Sequence, residues 1–280
     1  MARVAIVVAL AGCNSIFGNA PAELRDARYF DVPFDAPFVC PALGGSPPAF
    51  DPALHSILLQ SCTDYSFNAG HASATCRAGD GNLDVFEGPL DGALVQLAMF
   101  TEGTTANYYD EPRLSSDGAY LYVRHFDFDT NLGDVLVAER QPDASWLGIA
   151  PAPFGTTLND SISTIAHGPT GDHVLVREVA TGTLHEWVGA GSSWQEVQQH
   201  TAEQLGIMVE LMKLSPNGLH LVAQTLAGMY YSDRPTVDSP FRAADPFPSA
   251  PSDFTAPLMT DDCARLYVAG LGEVFYVQQE

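Results

Sequence analysis

Apolar residues in this chain come in short alternating runs, not in long helical stripes. Each run follows a small polar turn, and a proline-led approach precedes the turn. The clearest copy reads Pro112-Arg113-Leu114-Ser115-Ser116-Asp117-Gly118-Ala119-Tyr120-Leu121-Tyr122-Val123. A second is Leu211-Met212-Lys213-Leu214-Ser215-Pro216-Asn217-Gly218-Leu219-His220-Leu221-Val222-Ala223, and a third is Pro257-Leu258-Met259-Thr260-Asp261-Asp262-Cys263-Ala264-Arg265-Leu266-Tyr267-Val268. Weaker copies centre on Pro169-Thr170-Gly171 with Val174-Leu175-Val176, and on Pro48 to Leu59. Asp-Gly or Asn-Gly supplies the positive φ that a tight hairpin needs. Alternation at Leu121 and Val123 turns one face towards a neighbouring sheet.

The period sets the architecture. With Gly118, Gly171, Gly218 and Cys263 as equivalent positions, the separations are 53, 47 and 45 residues, and Leu54 stands 64 residues before Gly118. A further strand is predicted in each copy: Asn82 to Phe86, Asp134 to Ala138, Thr183 to Val188, Met229 to Ser232 and Glu273 to Val277. Aromatic segments follow around Trp146, Trp194 and Phe241, and two copies share an arginine before the aromatic, Arg140 to Trp146 and Arg234 to Phe241. One such sheet cannot cover both of its faces, so copies must stack. Sheets of roughly 40–50 residues repeated radially describe an all-β β-propeller. Five four-stranded blades are expected, with six also compatible and a solenoid or sandwich as the other arrangements. The last copy stops at Glu280, so the ring needs an N-terminal strand to close it, and Arg28 to Phe34 is the expected source.

The Pro-x-x-Ser-x-Asp-Gly-x-x-Leu-Tyr pattern, the Gly-Asp-Val-Leu-Val strand after it and the arginine-to-aromatic stretch are similar to TolB-type, WD-repeat-like propeller repeats. The resemblance covers about residues 46–280 and departs from the pattern where Cys263 replaces the turn glycine.

The N-terminus reads as an address. Arg3, an apolar run Val4 to Leu10 and then Leu10-Ala11-Gly12-Cys13 have the layout of an export signal. The tetrapeptide resembles a bacterial lipobox, which implies lipidation of Cys13. The expected organisation is a signal peptide over 1–12, a flexible tether over 13–27 and a propeller over 28–280. Asn14 after the cysteine lacks the aspartate associated with inner-membrane retention, which points to the outer membrane, facing the periplasm or the cell surface. The alternative is a buried first strand ending in Gly-Cys.

Cysteine usage agrees with export. Without Cys13 four remain, an even number with three connectivities. Cys62 and Cys76 bracket a short loop rich in small and polar residues, read as an insertion that accounts for the extra length of the first copy. They form the natural local pair, leaving Cys40 with Cys263. The second bond would tie the two ends of the ring together.

Charge narrows the partners: 12 Lys+Arg against 34 Asp+Glu give a formal net charge of −22. Such a surface repels phosphate backbones and anionic headgroups, so nucleic acid is excluded and the membrane is reached through the lipid alone. The 46% hydrophobic content suffices for a full core.

Catalytic signatures are missing. No Gly-x-Ser-x-Gly elbow occurs, and His185-Glu186 has Gly189 where a zincin helix needs its second histidine. Oxygen ligands at alternate positions, Asp127, Asp129, Asn131 and Asp134, resemble half of a calcium loop, although a polar turn explains the same residues. Gly79 to Asp84 has a weaker likeness of the same kind. His71, His125, His167, His173 and His220 lie where they could face a channel, and Tyr108, Tyr109, Tyr120, Tyr230 and Tyr231 could rim a pocket. The leading expectation is a non-enzymatic, monomeric binding or scaffolding propeller without a cofactor, its partner an envelope protein or a glycan. The alternatives are a propeller glycoside hydrolase and a calcium-dependent carbohydrate binder.

Overall fold

The computed structural model describes residues 40, 43–56, 61–68, 70–78, 82–89, 93–100, 107–127, 129, 132–154, 161–178, 180–247, 254–270 and 272–279. Five antiparallel sheets follow one another along the chain. Blade one comprises Cys62–Asn68, His71–Arg77, Leu83–Pro89 and Val95–Gln96; blade two comprises Asn107–Leu114, Tyr120–Asp127, Leu132–Arg140 and Trp146–Pro151. Blade three comprises Ser161–Ile162 and Ala166–Gly168, both paired with Gly171–Arg177, then Leu184–Ala190 and Ser193–His200. Blade four comprises Leu211–Leu214, His220–Thr225, Gly228–Asp233 and Asp245–Pro246. Blade five has Thr255–Met259, Arg265–Gly270 and Glu273–Gln278, and its fourth strand is His55–Ser56 from the start of the described chain.

Each blade-to-blade interface has its own apolar core, which is how a ring of small sheets covers both faces of every member. Val85 of blade one packs with Leu121 and Val123 of blade two. Tyr122 and Phe154 meet Val174 and Val176, and Leu175 and Leu184 meet Leu214 and Leu221. Val222 and Tyr231 meet Leu266 and Val268, and Tyr267 and Tyr276 close the circle on Tyr65 and Ala74 of blade one. Five such interfaces make a closed five-bladed propeller.

The recurrent turn has one geometry in three blades. Ser115 Oγ donates to Asp117 Oδ1 at 2.7 Å, that oxygen accepts the Ala119 amide at 2.9 Å, and Ser115 Oγ accepts the Tyr120 amide at 2.9 Å. Ser215 with Asn217, and Thr260 with Asp262, repeat all three bonds. The left-handed position is filled by Gly118 (φ 71°), Gly218 (φ 70°) and Cys263 (φ 59°).

Two expectations need correction. The stretch Pro48 to Leu59 is not the first repeat. Its described part closes the ring: His55 and Ser56 pair with Tyr276 and Phe275, and Phe50 bridges to Gln279. The first inner hairpin is instead Cys62–Asn68 with His71–Arg77, so Cys62 and Cys76 do not bracket an inserted loop but face each other across that hairpin. Arg28 to Phe34, expected to supply the closing strand, lies outside the described residues, as does Cys13; the outer edge of blade five is taken by His55–Ser56.

Disulfides join Cys62 to Cys76 and Cys40 to Cys263, the second across 223 residues. That bond fixes the N-terminal segment to the turn of blade five, beside the closing strand.

Candidate functional site at the channel mouth

The first strands of the five blades surround the axis. Towards their turn ends they are stitched directly together: Asn68 Nδ2 donates to Leu114 O at 3.3 Å and to Ile165 O at 3.1 Å, and the Thr164 hydroxyl donates to Leu214 O. At the opposite end, where the first strands begin, a cavity of about 240 Å³ opens. One wall is apolar, made by Leu211, Met212 and Ala256; the other is polar and carries Tyr108, Asp110 and Arg124.

Six charged side chains form the floor and the polar wall: Asp64, Asp110, Glu111, Arg113, Arg124 and Lys213. Three acids and three bases give no net charge. Lys213 Nζ donates to Asp64 Oδ1 at 2.6 Å and also to Tyr65 O. Arg113 reaches Asp64 at 2.8 Å and Glu111 at 3.5 Å, and donates to Ile162 O and Ser163 O of blade three. Arg124 grips Asp110 with both Nε, at 2.6 Å, and Nη2. Tyr65 Oη donates to Ala256 O at 2.9 Å, which brings in blade five. Through this one network all five blades are tied at the axis.

A bulge aims the central acid. Glu111 sits at φ 49°, in the register shift between Asp110 and Arg113 and directly before Pro112. Left-handed φ at a residue of this kind costs of order 1–3 kcal/mol and persists only when its surroundings fix it. Here the carboxylate accepts the Ser161 hydroxyl at 2.9 Å and the Ile162 amide at 2.8 Å in the next blade. Blade five repeats the device with Ala256 (φ 52°) before Pro257. A bulge re-aims a side chain that regular pleating would direct elsewhere.

The environment separates the two aspartates. Burial alone would raise the Asp64 carboxyl, but Arg113 and Lys213 outweigh it and hold the pKa at about 2. At Asp110 burial wins over the pull of Arg124 and pushes the pKa up to about 6. Burial, with Arg113 alongside, brings the Lys213 ammonium down to about 8 against the support of Asp64. At neutral pH all three are charged. Burial also raises the Tyr108 phenol, so it stays a hydrogen-bond donor.

Other residues singled out by sequence lie elsewhere. Asp127 Oδ1 accepts the Asp129 amide at 2.8 Å in a local turn, and Asp134 is exposed opposite His125; Asn131 is outside the described residues. The one group of three or more His, Cys, Asp or Glu side chains within common metal reach among the described residues is Cys40, His220 and Cys263. None of the five histidines lines the cavity: His71 binds Glu87 at 2.6 Å, His173 binds Glu186 at 2.8 Å, and His125 lies against the Tyr109 ring. Of the five tyrosines, Tyr108 alone lines it.

Ser116, His167 and Asp172 do meet, at the turns of blades two and three. The Ser116 hydroxyl donates to Asp172, which also accepts the Ser116 amide at 3.0 Å, and His167 is 74% exposed in its side chain. The carboxylate engages the serine directly instead of orienting the imidazole, the reverse of a nucleophilic triad. This is an interblade clasp.

The arginine-to-aromatic echo is also structural. Arg140 Nε donates to Gly118 O at 3.0 Å, its guanidinium lies 4.6 Å over Trp146, and Nη2 reaches Glu87 of the preceding blade at 2.6 Å. Arg234 repeats this with Gly218 O at 2.7 Å, Phe241 at 4.4 Å and Glu186 at 2.7 Å. Both acids also hold a histidine, His71 and His173.

The sequence matches no protein-family model and no curated protein. Similar solved structures include a candidate 6-phosphogluconolactonase from Bacteroides uniformis, at 18% identity over 73% of this chain and 62% of that one (TM-score 0.46). A gluconolactonase from Xanthomonas campestris aligns at 12% identity over 77% and 71% (TM-score 0.49). The β-propeller domain of Myceliophteria thermophila Swd1 aligns at 10% identity over 76% and 68% (TM-score 0.43). The chain thus spans 62% of the length of the Bacteroides protein. The sheets themselves carry the propeller assignment.

Proposed function

We propose that this chain is a binding propeller that takes a compact, uncharged polar ligand, such as the terminal unit of a glycan, at the channel mouth, without turning it over. The carrying observation is that each of the six charged groups around the cavity is already held by an opposite charge. A net-neutral polar wall facing an apolar one suits a ligand with hydroxyls on one side and a hydrocarbon face on the other. A formal ion would disturb balanced pairs and bring an uncompensated charge into a buried site. Glu111 and Asp64 are consumed as acceptors of several bonds within the protein. Arg124, at 21% side-chain exposure the most open of the six, lies on the polar wall with its partner Asp110 and is the group a ligand would meet first.

Part of the same proposal is a lipid anchor at the outer membrane, supported by the lipobox-like Leu10 to Cys13, and a TolB-type repeat, supported by the resemblance of the turn pattern. Intact-mass analysis of detergent-extracted protein tests that part: a diacylated Cys13 at the N-terminus is expected, and an unmodified chain beginning at Met1 would remove it. Binding is tested by melting the protein with a panel of mono- and oligosaccharides. A ligand that binds only the native state raises Tm with concentration. Silence across the panel would overturn the glycan reading.

A second reading has one observation in its favour: Asp110, with a pKa of about 6 beside an aspartate at about 2, resembles the divergent pair of a glycoside hydrolase. Release of product from an oligosaccharide, abolished by Asp110→Asn, would favour it over binding alone.

A further inference from the structure

Among the described residues, no donor hydrogen faces one nitrogen of His220. The imidazole is buried, at 4% exposure, under the turn of blade five. Tyr231 Oη donates to Asp233 Oδ2 at 3.4 Å and lies 2.9 Å from His220 Nδ1. With its own proton directed at Asp233, the phenol oxygen accepts from Nδ1–H, which leaves the lone pair on Nε2. That lone pair points at Cys263 Sγ, 3.9 Å away. In the disulfide this sulfur carries no proton. Among the described residues, then, a buried imidazole acceptor faces a group unable to donate to it.

Reduction changes what the nitrogen sees. Cys40 Sγ, Cys263 Sγ and His220 Nε2 all lie within 4.8 Å of one another. Tetrahedral zinc, with Zn–S near 2.3 Å and Zn–N near 2.0 Å, sets S···N at roughly 3.6 Å and S···S at roughly 3.8 Å. The imidazole is already close to that distance. The cysteine Cα atoms are 5.0 Å apart, so side-chain rotation about Cα–Cβ can part the sulfurs. Nδ1 is held by Tyr231 and, through it, by Asp233, the kind of outer support that fixes ring orientation in metal sites.

We propose that Cys40, Cys263 and His220 form a reduction-gated site for a thiophilic divalent cation of the zinc class. A dithiol transfers two electrons and its two protons to the Cys40–Cys263 bond, which breaks to give two thiols while the dithiol closes to its own disulfide. A phosphine does the same with water, which supplies the two protons and the oxygen of the phosphine oxide. The cation then displaces the two thiol protons to solvent and takes the Nε2 lone pair, with water completing the tetrahedron. Cys40 is only partly buried, which gives the reductant a way in. The seam of the ring is tied in both redox states, by a disulfide in one and by metal in the other.

Cobalt is the probe. In the full chain with Cys13, Cys62 and Cys76 replaced by alanine, the two remaining sulfurs are those of the site. Reduced with a phosphine, freed of it under nitrogen and titrated with Co²⁺, this protein should show one equivalent of tetrahedral ligand-field absorption with sulfur-to-cobalt charge transfer, both displaced by Zn²⁺. His220→Gln should weaken binding at least about tenfold, and Tyr231→Phe by a smaller factor at unchanged stoichiometry. The absence of a tetrahedral cobalt spectrum, or the same affinity in His220→Gln, overturns the proposal. Should the triple variant fail to fold, the reduced wild-type chain gives the reading by mass spectrometry. Zn²⁺ should protect Cys40 and Cys263 from alkylation in a His220-dependent way; protection of Cys62 and Cys76 alone overturns the site.

Discussion

Lys213 Nζ lies 2.6 Å from Asp64 Oδ1 and joins the first strands of blades four and one, 149 residues apart in sequence. Both side chains are nearly or fully withdrawn from water, at 2% and 12% exposure. Removing one partner of such a pair strands the other, which typically costs 3–5 kcal/mol. Arg113 remains beside Asp64 in Lys213→Met and softens the loss, so about 3 kcal/mol is expected, read as a lower urea midpoint at unchanged slope.

Acid should expose the same network. Asp64 has its folded pKa depressed to about 2 from 3.8, so its contribution is fully present above about pH 4 and is lost as pH falls towards 2. The shift corresponds to about 2 kcal/mol. Urea denaturation across that window should show a slope that Asp64→Asn flattens. An unchanged slope would mean that Asp64 is not held by Arg113 and Lys213.

The two interblade latches offer a comparison at constant chemistry. Arg234 and Glu186 are fully buried, whereas Arg140 and Glu87 are 18% and 8% exposed. Hydrogen bonds from His173, His200 and Arg234 outweigh burial and hold the Glu186 carboxyl well below the usual range. Arg234→Met should therefore cost about 3–5 kcal/mol and Arg140→Met about half of that. Calorimetric melts of the two variants would check the order.

Cys263 occupies a position that glycine fills in blades two and four. Its φ of 59° strains a residue with a Cβ, by about 1 kcal/mol relative to glycine. In a Cys40→Ala background, where no disulfide is at stake, Cys263→Gly should raise stability by about that amount. In the native background the same substitution removes a bond spanning 223 residues, worth roughly 5 kcal/mol on the chain-entropy model. The sign should reverse between backgrounds.

The ring was legible because its turns are local chemistry: Ser115, Asp117 and Gly118 make a hairpin wherever they occur together. The first blade was not, because its turn, Asn68 to His71, has neither the proline approach nor the Asp-Gly pair. Pro48 to Leu59 mimics the pattern with apolar residues that serve closure instead. The channel network escaped for another reason. Its members come from different blades, and no spacing along the chain places Asp64 beside Lys213. One signal was available: Arg113-Leu114-Ser115 and Lys213-Leu214-Ser215 put two of only 12 basic residues at the same repeat offset, one place before the leucine that leads into the turn. A cation repeated at an inward position implies buried acids to meet it. The bulge that turns Glu111 towards blade three has no such signature beyond the proline that follows it.

The channel mouth is tested most directly by calorimetric titration of wild type and Arg124→Met with the saccharide that shifts Tm most. Arg124 is half-open to the cavity, with a side-chain exposure of 21%, and its loss leaves the Asp64, Arg113 and Lys213 core intact. Binding to wild type without turnover, weakened at least about tenfold in the variant, is expected for a lost charged hydrogen bond. Equal affinity in the two proteins would place the ligand elsewhere and contradict the assignment of this site.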